Sequence, residues 1–134
     1  MKKLIIAFLI IGSSLSLTAQ EAETTIKIIA QKQMETYNAR NIEAYAALFS
    51  DDVKVYDYPK ELRYEGKDKL IARYGDFFKN TPELYSFIEK RIICDNAIID
   101  QEKVIYKKGG IPKEYIVMYV VENEKIAEVY YLKR

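Results

Sequence analysis

Two adjoining stretches decide how this chain folds: Tyr37-Asn38-Ala39-Arg40-Asn41-Ile42-Glu43-Ala44 and Ala47-Leu48-Phe49-Ser50-Asp51-Asp52-Val53. The first ends one amphipathic segment and starts another, because Asn41 is a side chain suited to capping a helix N-terminus. In the short helix that follows, Ala44, Tyr45, Leu48 and Phe49 form the apolar side, and Ser50-Asp51-Asp52 ends it. Val53 to Tyr58 then reads as a strand, stopped by Pro59.

Upstream, from Glu21 to about Ala39, Ile26, Ile29, Ala30, Met34 and Tyr37 recur at spacings of three and four, which is one face of a helix. Downstream, Tyr64-Glu65-Gly66 leads into a third helix from about Lys67 to Lys79, buried through Leu70, Ile71, Tyr74, Phe77 and Phe78. Asn80-Thr81-Pro82 closes it, since proline disfavours helical geometry in the residue before it. Everything after Leu84 has strand character. The pattern predicts strands over Tyr85–Cys94, Ala97–Lys107, Tyr115–Val121 and Ile126–Leu132, with turns at Asp95-Asn96 and Asn123-Glu124. The polar middle of the second, Asp100 to Lys103, suggests a bulge or break, and Gly109-Gly110 with Pro112 forms a loop. Strands joined by such short turns are antiparallel neighbours. The expected fold is α+β, with a strongly twisted antiparallel sheet packed on three helices from the N-terminal half of the chain.

The first residues, Met1-Lys2-Lys3 followed by the apolar run Leu4 to Ile11 and on to Leu17-Thr18-Ala19, have the layout of a secretory signal peptide. The apolar part is too short to span a bilayer. The sequence therefore divides into a signal peptide, 1–19, and one domain, 20–134, expected in the periplasm or secreted, with no membrane association once the signal is removed.

Without Lys2 and Lys3 the chain carries one more acidic than basic residue, in alternating signs, so the electrostatic drive for nucleic-acid binding is weak. Cys94 is the single cysteine, which excludes an intrachain disulfide, and its apolar setting Ile92-Ile93 reads as burial. The chain has no histidine, which removes His-based triads and most zinc or iron sites. It has twelve tyrosines and no tryptophan. Tyrosine gives a wall apolar area with a hydroxyl at its end, and it equally suits a half-buried sheet.

In order and spacing, these stretches resemble the nuclear transport factor 2-like superfamily, within it the SnoaL-like and ketosteroid-isomerase-like pocket proteins. Tyr64-Glu65-Gly66-Lys67-Asp68-Lys69-Leu70 is similar to that family's lead-in to its third helix. The hairpin Val121-Glu122-Asn123-Glu124-Lys125-Ile126-Ala127-Glu128-Val129 is similar to its ending. The resemblance implies a cone-shaped domain, a curved sheet wrapped around the helices with a central pocket. Some members are isomerases, cyclases or dehydratases and others bind without catalysis, so the fold gives no reaction by itself. Carried over by position, the catalytic carboxylate of the isomerase-like members falls at Asp57, their tyrosine at Gln33, and their protonated acid near Val117. Valine donates no hydrogen bond, and the loss of one such donor costs orders of magnitude in rate, so steroid isomerase activity is not expected.

Asp57 remains the catalytic candidate, because strand period two puts it on one face with Val53 and Val55. There, desolvation would raise its pKa towards a general base's range. The alternative is a strand-end carboxylate facing water. Gln33, Tyr37, Tyr74, Phe78 and Val117 are the expected pocket lining, and Arg73 and Arg91 the candidate partners for an acidic ligand group. Asp51-Asp52 reads as a solvated cap and not as a metal pair, and no motif implies a cofactor. On the late strand, Tyr115, Val117, Tyr119 and Val121 share one face and Ile116, Met118 and Val120 the other. Two apolar faces on one strand predict a homodimer through the sheet, the alternative being burial of the second face by the chain's own extended ends. Three functions stay open: an exported pocket protein for a small apolar or aromatic ligand, an isomerase or cyclase using Asp57 on a carbonyl compound, and a non-catalytic protein-interaction domain.

Overall fold

In the computed structural model, Asn41 caps a helix: its Oδ1 accepts from the Ala44 N–H at 2.9 Å. The structure describes residues 9–133, and side chains from Thr18 to Leu132. A 30-residue helix α1 (Leu9–Asn38) precedes that cap and a single-turn α2 (Ile42–Ala46) follows it. Residues 1–8 of the expected signal peptide lie outside the described residues. From Leu9 the chain is helical without a break into α1. Among the described residues no helix is long and apolar enough to cross a membrane.

The strand β1 (Phe49–Asp57) begins four residues earlier than the sequence suggests. Ser50-Asp51-Asp52 therefore lies inside β1 and does not end a helix, and Phe49 is a strand residue, 1% exposed. Two exposed aspartates in a row mislead the reading, because Asp51 is a pairing site and not a cap: Lys67 reaches it at 2.7 Å. A short strand that the sequence pattern does not announce, β2 (Glu61–Glu65), turns back along β1. Gly66 then starts α3 (Lys67–Asn80) at φ +102°, a backbone region open to glycine, while its N–H donates to the Val53 carbonyl at 2.8 Å.

The remaining strands form the expected meander: β3 (Tyr85–Cys94), β4 (Ala97–Ile105), β5 (Lys113–Glu122) and β6 (Lys125–Lys133). Asn123 and Glu124 both take positive φ, as the tight turn of a two-residue hairpin requires. One curved sheet results, in the order β2-β1-β6-β5-β4-β3. Its pairings are antiparallel except β1 with β6, which run parallel and join the first strand to the last. That closure is invisible to local turn logic. The expected irregularity in β4 is also displaced. The register between β3 and β4 slips at Ile88/Lys90, on β3, and β4 itself pairs evenly with β5.

The three helices pack on the concave face of the sheet. Ile26, Ile29 and Ala30 of α1, Tyr45 of α2 and Leu70 and Phe78 of α3 meet Val53, Ile98, Val117 and Ile126 in one core. The Asn38 side chain pairs with Ser86 as a peptide unit would, donating to its carbonyl at 2.8 Å and accepting from its N–H at 2.7 Å. This docks the end of α1 on the edge strand β3. Ile71 proves 40% exposed, and Cys94, expected to be buried, is exposed at the last residue of that edge strand.

The convex face is also apolar. Register pairs carry a row Ile92–Ile99–Met118–Tyr130–Tyr56–Leu62 across all six strands, with Tyr56 and Tyr130 stacked at 4.8 Å. Ile92 is 60% exposed and Leu62 50%.

Candidate functional site

Between the helices and the concave sheet face the core leaves an open cavity of about 320 Å³. The α1 side supplies Gln33 and Tyr37, and α3 supplies Arg73, Tyr74 and Phe77. From the sheet come Arg63 and Tyr64 on β2, Glu102 and Val104 on β4, Tyr115 and Tyr119 on β5 and Tyr131 on β6. Tyr45 and Tyr106 complete a wall that uses eight of the chain's twelve tyrosines.

Their hydroxyls are wired together. Gln33 Nε2 donates to the Tyr119 hydroxyl at 3.3 Å, and the Tyr74 and Tyr131 hydroxyls share a hydrogen bond at 3.0 Å. Tyr106 and Tyr115 are joined in the same way. Burial pushes the phenols of Tyr45, Tyr74, Tyr119 and Tyr131 well above their ordinary pKa, and those of Tyr37, Tyr64 and Tyr106 rise for the same reason. These phenols are therefore neutral donors near pH 7 and none of them is a base.

Glu102 differs. Desolvation by burial raises its carboxyl to about 7, against hydrogen bonds that favour the anion. Ser86 Oγ is one of those donors, 3.1 Å from Oε2. Glu102 is thus the cavity group that changes charge near neutral pH, the property a general base or acid needs.

Sequence reasoning passed over Glu102 because Asp100 to Lys103 read as a break in the strand. Period two carries the missing signal: Ile98, Asp100, Glu102 and Val104 share a face whose ends are apolar, and all but Glu102 are 3% exposed or less. Arg63 was missed along with β2. It sits at the register slip between Tyr64 and Leu62, the extra residue of a bulge.

Of the expected lining, Gln33, Tyr37 and Tyr74 do face the cavity. Phe78 packs behind it, edge-on to Tyr37 and Tyr45, and Val117 is fully buried in the core with no part in the lining. Asp57 does not line the cavity either. Both its oxygens are held by Arg63, Oδ2 by Nε at 2.7 Å and Oδ1 by Nη2 at 2.6 Å. Its role in the geometry is to aim Arg63, which does line the cavity. Arg73 lines it as well, but Arg91 is committed elsewhere, clamping the buried Asp100 at 2.6 and 2.7 Å. Among the described residues no three carboxylates or thiols gather as a metal ion would need.

The pattern of the SnoaL-like domain matches residues 30–129 of this chain. No curated protein matches it. Among solved structures, an uncharacterised cystatin-fold protein from Novosphingobium aromaticivorans superposes with a TM-score of 0.72 at 19% identity, over 81% of this chain and 97% of that one. A provisional ketosteroid isomerase from Kribbella flavida gives 0.66 at 17% identity, over 83% and 80%. A provisional SnoaL-like polyketide cyclase from Jannaschia gives 0.66 at 11%, over 83% and 86%. At such identities these likenesses speak for the fold alone.

Proposed function

The chain belongs to the SnoaL-like domain family, and from that premise we propose that it is a pocket protein binding a small apolar or aromatic molecule. The observation that carries this reading is the open cavity of about 320 Å³ walled by eight tyrosines. That volume lies in the range of small-molecule sites, and aromatic walls with neutral hydroxyl tips suit a planar ligand bearing a hydrogen-bond acceptor. A domain whose cavity is filled by its own side chains, the third reading, loses its support from the same observation. Calorimetry with benzamide, 2-naphthamide and pyrene-1-carboxamide tests the reading. Affinity rises from one ring to two and collapses at four if the cavity is the site. Affinity that keeps growing with ring count speaks for adsorption on an open face.

A second reading, proton transfer on a carbonyl compound, draws support from Glu102, with that residue and not Asp57 as the base. Its carboxylate would take a proton from carbon beside a carbonyl, leaving the electron pair on the enolate oxygen under the neutral phenols. The isomerase and cyclase names of the Kribbella and Jannaschia proteins agree with such chemistry. Deuterium uptake by 2-tetralone in heavy water checks it. Acceleration lost in Glu102→Gln and kept in Asp57→Asn supports the reading, and no acceleration over buffer removes it.

Export as a domain of residues 20–134 follows from the basic start and apolar run of residues 1–19. N-terminal sequencing of the protein from fractionated source cells is expected to begin near Gln20 in the periplasm or medium. The apolar row across the convex face supports a homodimer, which sedimentation of wild type against Met118→Lys would reveal.

A further inference from the structure

Charge in the cavity is sorted. Arg63 stacks over the Tyr131 ring at 4.3 Å and Arg73 over the Tyr64 ring at 4.6 Å, and all four residues line the cavity. Such stacking holds a guanidinium plane in place while leaving its edge N–H groups available. Arg63 adjoins Tyr64 on β2 and Arg73 stacks on the Tyr64 ring, so both positive charges lie close to one point of the wall. Arg63 cannot swing away, because Asp57 grips Nε and Nη2. Arg73 is exposed, and it makes no ion pair among the described residues.

Among the described residues the one acidic side chain in the lining, Glu102, belongs to a different part of the wall. It stands on β4, and the strands β1, β6 and β5 lie between it and Arg63 on β2. The cavity therefore has a cationic end on β2 and α3 and a carboxyl end on β4.

Resting on the pocket reading above, we propose that the Arg63–Arg73 end is an anion subsite and that the ligand is a small aromatic carboxylate. Its ring lies among the tyrosines and its carboxylate meets the two guanidinium edges. A planar carboxylate matches the planar fork of arginine. The apolar, partly desolvated walls strengthen the attraction relative to open water. Arg63 alone would give little net charge, because Asp57 offsets it. Arg73 supplies the uncompensated positive charge, and Arg63 supplies fixed donors. At the far end the phenols and Glu102 offer hydrogen bonds to a polar substituent of the ring.

The test titrates the protein with 2-naphthoate and with 2-naphthamide, equal in size and different in charge. Naphthoate is expected to bind about tenfold tighter, the value of a charge-assisted hydrogen bond. Added salt narrows that gap, and Arg73→Met closes it, weakening naphthoate by much more than naphthamide. Arg73→Lys restores part of it. Arg73 is exposed, so its replacement leaves the fold intact, which the urea denaturation midpoint of each variant checks. Equal binding of both probes overturns the anion subsite and leaves the pocket reading standing. A preference for naphthoate that survives Arg73→Met also overturns it, by placing the anion elsewhere. If neither probe binds, the pocket reading fails and this inference with it.

Discussion

The protein contains the same ion pair twice, built into different surroundings. Arg91 grips Asp100 and Arg63 grips Asp57, each through Nε and Nη2 at 2.6–2.7 Å. Asp100 is 1% exposed and Arg91 also reaches the Ala30 carbonyl at 3.4 Å, so this pair ties α1 to the β3–β4 edge of the sheet. The Asp57 side chain is 36% exposed, and its arginine looks into the cavity. One pair is an anchor and the other is a mount for a functional group. Bidentate geometry alone therefore does not say what an Arg–Asp pair is for; burial and the second side of the guanidinium do.

The largest effect expected from breaking this comparison is in Arg91→Ala. Leaving Asp100 buried and unpaired costs about 3–5 kcal/mol, which a urea denaturation curve reads directly. A loss under about 1 kcal/mol would mean water reaches Asp100 and would dissolve the distinction between the two pairs.

Glu102, two residues along the same strand face, is the carboxylate of this group without an arginine clamp, and it sharpens the contrast. Its folded pKa of about 7 lies above that of the unfolded chain, so the folded state holds the proton longer. Its effect on stability is absent below the ordinary carboxylate range and grows unfavourable as pH rises through about 7. Glu102→Gln is expected to flatten that decline, by about 1–3 kcal/mol between pH 5 and 8. Parallel pH–stability curves for wild type and variant would show instead that Glu102 is solvated.

Asp57→Asn is expected to cost about 1 kcal/mol of stability or less. It should weaken 2-naphthoate severalfold by loosening Arg63, and naphthamide by less. A loss matching that of Arg91→Ala would make Asp57 an anchor too. Smallest of all is Lys27→Ala, which removes a pair more than half exposed on α1 and is expected to leave the melting temperature where it was.

Much of this is legible in the sequence. The helix spacing from Ile26 to Tyr37, the Asn41 cap and the Asn123-Glu124 hairpin act through neighbours in sequence, and each appears where its residues place it. The parallel seam between β1 and β6 joins residues such as Val55 and Val129, far apart in the chain, and no local rule reports it. For the cavity, aromatic helix residues such as Tyr37 and Tyr74 could be read from periodicity. Arg63 could not be read that way, because it sits in a five-residue strand with a bulge, and the period-two signal of Glu102 is masked by a polar stretch resembling a break. The chemistry of the wall depends on those two. Polar residues on buried faces defeat the assumption that inward positions are apolar, and Asp57, the inward acid that periodicity did pick out, is gripped by one of them.

The measurement that bears most directly on the account is a set of nuclear Overhauser contacts between bound 2-naphthamide and ¹³C-labelled tyrosine rings. The account predicts contacts to Tyr37, Tyr64 and Tyr119, which wall the cavity, and none to Tyr56 or Tyr130 on the convex face. Contacts to Tyr56 and Tyr130 in place of the cavity set would contradict it, moving the ligand to the outer face of the sheet.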